Sequence, residues 1–190
     1  NFVNSFLSSK DVAYFTPELE GMNLNLELDG QVSGLVSNLK AKKLSVKAGK
    51  ATYIKGDFIL KGLPRIKDTY MDLKIEMAGT NKADLDEILS GISAGKSKRI
   101  PAIVQKFGNI NFNGSFTGFQ NDFIAYGEFK TKLGRVVSDV NMKIDRLGVP
   151  SYSGNVKAFD FHIGNLIDEK TLGRISAVVN VKGRGAEIQT

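Results

Sequence analysis

The stretch "INFNGSFTGF", residues 110–119, alternates apolar and polar residues almost without interruption. Ile110, Phe112, Gly114 and Phe116 point one way from an extended chain, and Asn111, Asn113, Ser115 and Thr117 the other. A side-chain period of two belongs to a half-buried β-strand and not to a helix. A face this rich in phenylalanine must be kept dry. Either a second sheet of the same chain covers it, or an apolar guest does.

The same pattern spreads in both directions along the chain. Met22, Leu24, Leu26 and Leu28 alternate with Asn23, Asn25, Glu27 and Asp29. Leu44, Val46 and Ala48 follow, then Ile54, Gly56, Phe58 and Leu60, then Met71, Leu73, Ile75 and Met77. Beyond 119 come Phe123, Ala125, Gly127 and Phe129, then Val136, Val140, Met142 and Ile144. Tyr152, Gly154, Val156 and Ala158 precede a last set, Ile175, Ala177, Val179 and Val181. The short turns "LDGQ", "KAGK", "KLGR" and "RLGVPS" separate these runs, so the chain reads as an antiparallel meander with one apolar and one wet face. Tyr126 and Ile124 fall on the wet parity and mark a place where both faces would be buried.

Two segments change period. "NKADLDEILSGI" carries Leu85, Ile88, Leu89 and Ile92 at helical spacing, with Asn81 or Thr80 as its cap. "RIPAIVQKFG" repeats the spacing with Ile100, Ile103, Val104 and Phe107, with Pro101 in the first turn and Gly108 as the stop. Short amphipathic helices are expected near 81–92 and 99–107, covering one end or edge of the sheet. Asp84, Asp86 and Glu87 fall on the polar side of the first, where charges face water.

The chain also resembles itself. "LNLELDGQVSGL" (24–35) matches "INFNGSFTGF", and "VNVKGRGAEI" (179–188) begins like both. Residues 1–190 are therefore expected to be one continuous fragment of a repetitive β domain, with repeats at 22–107 and 108–170 and a third beginning at 171–190. In the two fuller copies the strands lead to a helical or looped stretch, "DLDEIL" in one and "HIGNLI" in the other. The array is expected to continue on both sides.

Composition excludes several classes of function. The 190 residues contain no cysteine, which removes disulfides, thiol catalysis and cysteine metal sites. A net charge of +6 comes from lysines dispersed singly through the strands, with "KSKR" (96–99) the densest cluster. That distribution describes a solvated sheet face better than a nucleic-acid site, which would need basic residues interleaved with exposed aromatics. The one histidine, His162, has no cysteine or second histidine to join it and reads as structural. "GISAGKSKR" (91–99) has three residues between its glycines where a phosphate loop needs four, and reads as a linker. No catalytic set, metal site or cofactor motif emerges, so the chain is expected not to be an enzyme.

From pattern alone, a closed sandwich is favoured over a trough, because an uncovered apolar face several strands long is a large exposure in water. "YIKGDFILKGLP" (53–64), "GSFTGFQNDFIAYG" (114–127) and "YSGNVKAFDFHIGNLI" (152–167) bear on that choice, because they resemble the TamB proteins (translocation and assembly module, AsmA-like superfamily) of Bacteroidota. The similarity runs from about residue 21 to the end. The resemblance implies a fragment of a longer periplasmic envelope protein, anchored in the inner membrane by a helix outside this sequence. It implies a β-groove, described as a taco, that shields phospholipid acyl chains for inner-to-outer-membrane lipid transport. It also implies a partner of the Omp85 class of outer-membrane barrels and a role in outer-membrane protein assembly, for which strand addition at a sheet edge is the alternative mode. It carries no catalytic residues and no cofactor.

On the trough reading the inward parity set touches acyl chains. In the first half it comprises Leu24, Leu26, Phe58, Leu60, Leu73 and Ile75. In the second it comprises Phe112, Phe116, Phe123, Phe129, Val140, Met142, Val179 and Val181. Glycines 34, 114, 118 and 127 would relieve crowding where the sheet bends. The two helices would plug the trough locally.

Overall fold

Residues that alternate with period two find ladder partners in the neighbouring runs, and the short turns force those neighbours to be antiparallel. The structure, a computed structural model, describes residues 1–9, 25–92 and 100–185. Met22, Leu24, Gly95, "KSKR", most of the 91–99 linker stretch and the chain beyond Gly185 lie outside the described residues.

Ten strands form one sheet in sequence order. They are β1 (Phe2–Ser8), β2 (Asn25–Leu35), β3 (Asn38–Ala48), β4 (Thr52–Lys61) and β5 (Tyr70–Thr80). After an insertion follow β6 (Ile110–Phe119), β7 (Asp122–Thr131), β8 (Gly134–Ile144), β9 (Pro150–His162) and β10 (Arg174–Arg184). Every neighbouring pair is antiparallel, and the sheet does not close into a barrel. The sandwich is corrected by this topology, because the described strands belong to one sheet with no second layer to cover its apolar face. Burial agrees: among the described residues only Ala41, Phe58, Leu133 and Phe161 are buried apolar side chains, and most inward residues are half-buried.

Odd-numbered strands end at one rim of the sheet and even-numbered strands at the other. The first rim carries the helices. Helix α1 (Lys82–Ile92) follows β5, with the Asn81 side chain accepting the Asp84 N–H at 2.9 Å as its cap. The helix expected over 99–107 is instead a six-residue 3₁₀ segment, Ala102–Phe107. Pro101 sits before it in extended conformation (ψ 140°), and so short a connector closes i→i+3 bonds more readily than α-helical ones. A second short helix, α2 (Ile163–Ile167), follows β9, with His162 as its cap: the ring Nδ1 accepts from Asn165 N at 3.4 Å.

The two insertions meet. Lys106 donates to the Leu166 carbonyl at 2.7 Å and pairs with Asp168 at 2.6 Å, while the Phe107 and Phe161 rings lie 6.4 Å apart. The second rim consists of turns and one 3₁₀ turn, Ile66–Asp68, between β4 and β5. One of them, at 145–149, is held by Asp145, whose Oδ1 accepts from Leu147 N and Val149 N at 2.9 and 3.0 Å. Those N–H groups, the Val149 one first, together with Arg184, hold the Asp145 carboxyl below its usual range.

Two parity expectations are overturned. A bulge between Ile75 and Ala78 puts Met77 on the outer face, half exposed, and Ala78 on the inner one. Ile124 and Tyr126 are more than half exposed, so the outer face there is wet and not buried on both sides.

Candidate functional site

Register determines which side chains share a surface, and here it carries one apolar surface across all ten strands. Phe58 lies opposite Leu73, Leu73 opposite Phe116, and Phe116 opposite Ala125. Ala125 faces Val140, and Gly154 joins Val140 to Val181. One level away, Leu60 pairs with Met71, and Phe123 pairs with Met142. On the other half of the strands Leu26 lies opposite Ala48, and Phe112 opposite Phe129. Ile75 sits between Gly56 and Gly114. Val179, opposite Val156 on the edge strand β10, shares the face but is 49% exposed. Leu24 is outside the described residues.

Irregularities in the ladders line up across the strands at mid-length, where bulged strands bend. Bulges interrupt the ladders beside Gly30, Lys43, Gly56 and Met77, at about one level across β2 to β5. Bulges bend strands and increase their twist. Where the line continues into β6 and β7 there is no bulge but a glycine opposite a glycine, Gly114 and Gly127. A Cβ at Gly114 would collide with the Tyr126 carbonyl and lie 2.6 Å from the Gly127 Cα. The two backbones approach too closely for any side chain, so the crease requires both glycines. Phenylalanines flank it on each side: Phe112 and Phe129 with ring centroids 4.7 Å apart, and Phe116 and Phe123 stacked at the same distance.

The two sides of the crease enclose an open cavity of about 550 Å³. Val46, Ile54, Ala78, Phe112 and Phe129 line it on one side of the bulge level and Leu73, Phe116 and Ala125 on the other, with Ile75 between them in register. Leu85 of α1 closes one end. Thr52, Tyr53, Thr80 and Ser115 are the polar residues along it, and the side chains of Tyr53 and Ser115 belong to the opposite face by parity. Of the expected lining, Leu73, Ile75, Phe112, Phe116 and Phe129 reach this cavity. Leu26, Phe58, Leu60, Phe123, Val140, Met142, Val179 and Val181 share its face but lie along the surface beyond it.

Helix α1 is held over the cavity by Asp84. The expectation that this carboxylate faces water is wrong: it is 5% exposed. Its Oδ2 accepts from the N–H groups of Lys50, Ala51 and Thr52 at 3.0, 2.7 and 2.9 Å, and from the Thr52 hydroxyl at 3.0 Å. Helix α1 is thereby pinned to the β3–β4 turn. Burial pushes the Asp84 carboxyl up, but the hydrogen bonds from Ala51, Thr52 and Lys50 outweigh it, and the net shift is downward. Gly49 completes the nest: its φ is 71°, and a Cβ there would stand 2.8 Å from Asp84 Oδ2. Asp86 also faces protein, pairing with Lys82 and accepting from Ile100 N at 2.9 Å.

Sequence reading missed Asp84 as an anchor, and it missed Ile110, Ala78 and Leu85 as lining. The signal for Leu85 was present, because it belongs to the apolar stripe of the first helical segment. No family model matches the chain, and neither the curated proteins nor the solved structures contain a significant match to it.

Proposed function

We propose that this chain is a non-enzymatic, lipid-shielding segment of a larger envelope protein, in which the creased apolar face covers the acyl chains of phospholipid in transit between membranes. The cavity carries the reading: it is open, bounded on both sides by hydrocarbon, and within the roughly 300–1,000 Å³ typical of small-ligand pockets. Each methylene moved from water into such a lining gains about 0.8 kcal/mol. No charged side chain lines the cavity, as suits a guest held by its tail. The TamB-like motifs support a periplasmic setting and an inner-membrane anchor elsewhere in the protein. A photo-crosslinker at Phe116 is expected to capture phospholipid in cells, and Phe116→Asp to abolish transport while the chain still folds. A crosslinker that captures only protein would overturn the reading.

The two unpaired sheet edges favour a second reading. Among the described residues β1 and β10 each have one ladder neighbour, and Val178 on β10 is 70% exposed. An open edge accepts an added strand, which supports an assembly role with an Omp85-class barrel partner. Crosslinks from Val178 to a partner strand, with lipid capture intact, would support this mode. Their absence would remove it.

A further inference from the structure

The turn rim, which carries no α-helix among the described residues, has a chemistry of its own. Its four turns join β2–β3, β4–β5, β6–β7 and β8–β9. Successive turns are two strands, about 10 Å, apart along the rim. Their tips carry large apolar side chains in water: Leu147 is 88% exposed and Leu35 75%, with Val36 and Phe119 beside them also exposed. Phe119 leans edge-on against Tyr70 with ring centroids 5.6 Å apart, whereas Leu35 and Leu147 stand largely in water.

Charge tells what would cover them. The rim's acids are already matched: Asp68 with Arg65 at 3.3 Å, Asp122 with Lys143 at 3.0 Å and Asp145 with Arg184 at 3.1 Å. Lys61, Lys67 and Arg146 interleave with the apolar tips, and among the described residues none of them has a carboxylate in ion-pair reach. The helical rim also exposes Ile103, Ile167 and Leu172, with the unpaired lysines Lys50, Lys132 and Lys170, but there the carboxylates of Glu87 and Glu169 are exposed as well and without an ion-pair partner among the described residues. Among the described residues, the turn rim combines protruding hydrocarbon and unpaired cations with no unpaired carboxylate at its tips. That pairing is what an interface of anionic headgroups over acyl chains recognises.

We infer that the turn rim docks on an anionic phospholipid bilayer, with Leu35 and Leu147 entering between headgroups and Lys61, Lys67 and Arg146 lying over the lipid phosphates. This contact is independent of whether the cavity holds lipid. It places one wall of the trough against the membrane surface and the helical rim away from it.

The chain contains no tryptophan, so a single introduced one reports its own surroundings. Leu147→Trp, titrated with brominated phosphatidylcholine–phosphatidylglycerol vesicles, is expected to be quenched, and Ile103→Trp on the opposite rim is not. Leu147 is 88% exposed and Ile103 45%, so neither change replaces a buried side chain. Replacing Lys61, Lys67 and Arg146 by Gln should weaken partitioning about fivefold per residue and remove the preference for phosphatidylglycerol. Equal quenching at both positions, none at Leu147, or unchanged partitioning of the triple variant overturns the inference. Self-association through Leu35 and Leu147 without vesicles overturns it too, because the tips would then cover one another. A chain that captures phospholipid but leaves Leu147→Trp unquenched refutes the docking and spares the cavity reading.

Discussion

Asp84 shows how much one side chain can organise at a distance. Its carboxylate satisfies three backbone donors of a turn more than thirty positions earlier, and so fixes both the β3–β4 hairpin and the helix that carries Leu85. Removing it leaves those donors without their acceptor, and each buried unsatisfied group costs about 1–3 kcal/mol. Asp84→Ala should therefore destabilise the chain by about 3 kcal/mol in urea unfolding. The pH dependence has a definite sign. The folded pKa lies below the ordinary carboxylate value, so the stabilisation is complete above about pH 4 and fades as pH falls through the window below it. Urea midpoints at about pH 6 and about pH 3 should separate in the native chain and converge more closely in Asp84→Asn. Gly114 gives the complementary case. Gly114→Val must push β6 away from β7 and should cost about 2 kcal/mol, whereas Gly148→Val, with nothing within 4 Å of its Cβ, should cost less despite its positive φ.

Elements were legible in the sequence where their period was unbroken. Phe112, Phe116, Phe123 and Phe129 share a face because strand geometry repeats every two residues, and no tertiary knowledge is needed to see it. Met77 was misplaced for the same reason: a bulge shifts parity, and nothing in "MDLKIEMAGT" announces that extra residue. Asp84 on a helix's polar side looks like any solvated acid, and its partners are backbone groups that carry no sequence signature. Pro101 did carry one, since the residue before a proline disfavours helix, but the 3.6-residue spacing beside it was the louder signal. The inserted elements are joined chiefly by Lys106, whose partner Asp168 is 83% exposed. An exposed pair contributes little. Lys106→Ala should lower stability by less than about 1 kcal/mol, and a melting curve that drops far more would show the insertions to be a single cooperative unit.

At the scale of the whole molecule, one sheet carries an apolar face that no second layer covers among the described residues. In water this is costly unless the face creases on itself, and the crease at Gly114 and Gly127 achieves part of that. The remainder is the cavity between Phe112, Phe129, Leu73 and Phe116, half-buried and open. Whether such a face is trough or sandwich could not be read from alternation alone, because both give the same parity and differ only in what faces it. A carboxylate placed on both sides, Phe112→Asp with Phe116→Asp, should eliminate binding of an apolar guest. Native mass spectrometry of the purified 190-residue chain tests the central claim most directly. Phospholipid-bound ions that vanish in that double variant are expected; a chain that sprays only as bare monomer, with no lipid in its organic extract, would contradict it.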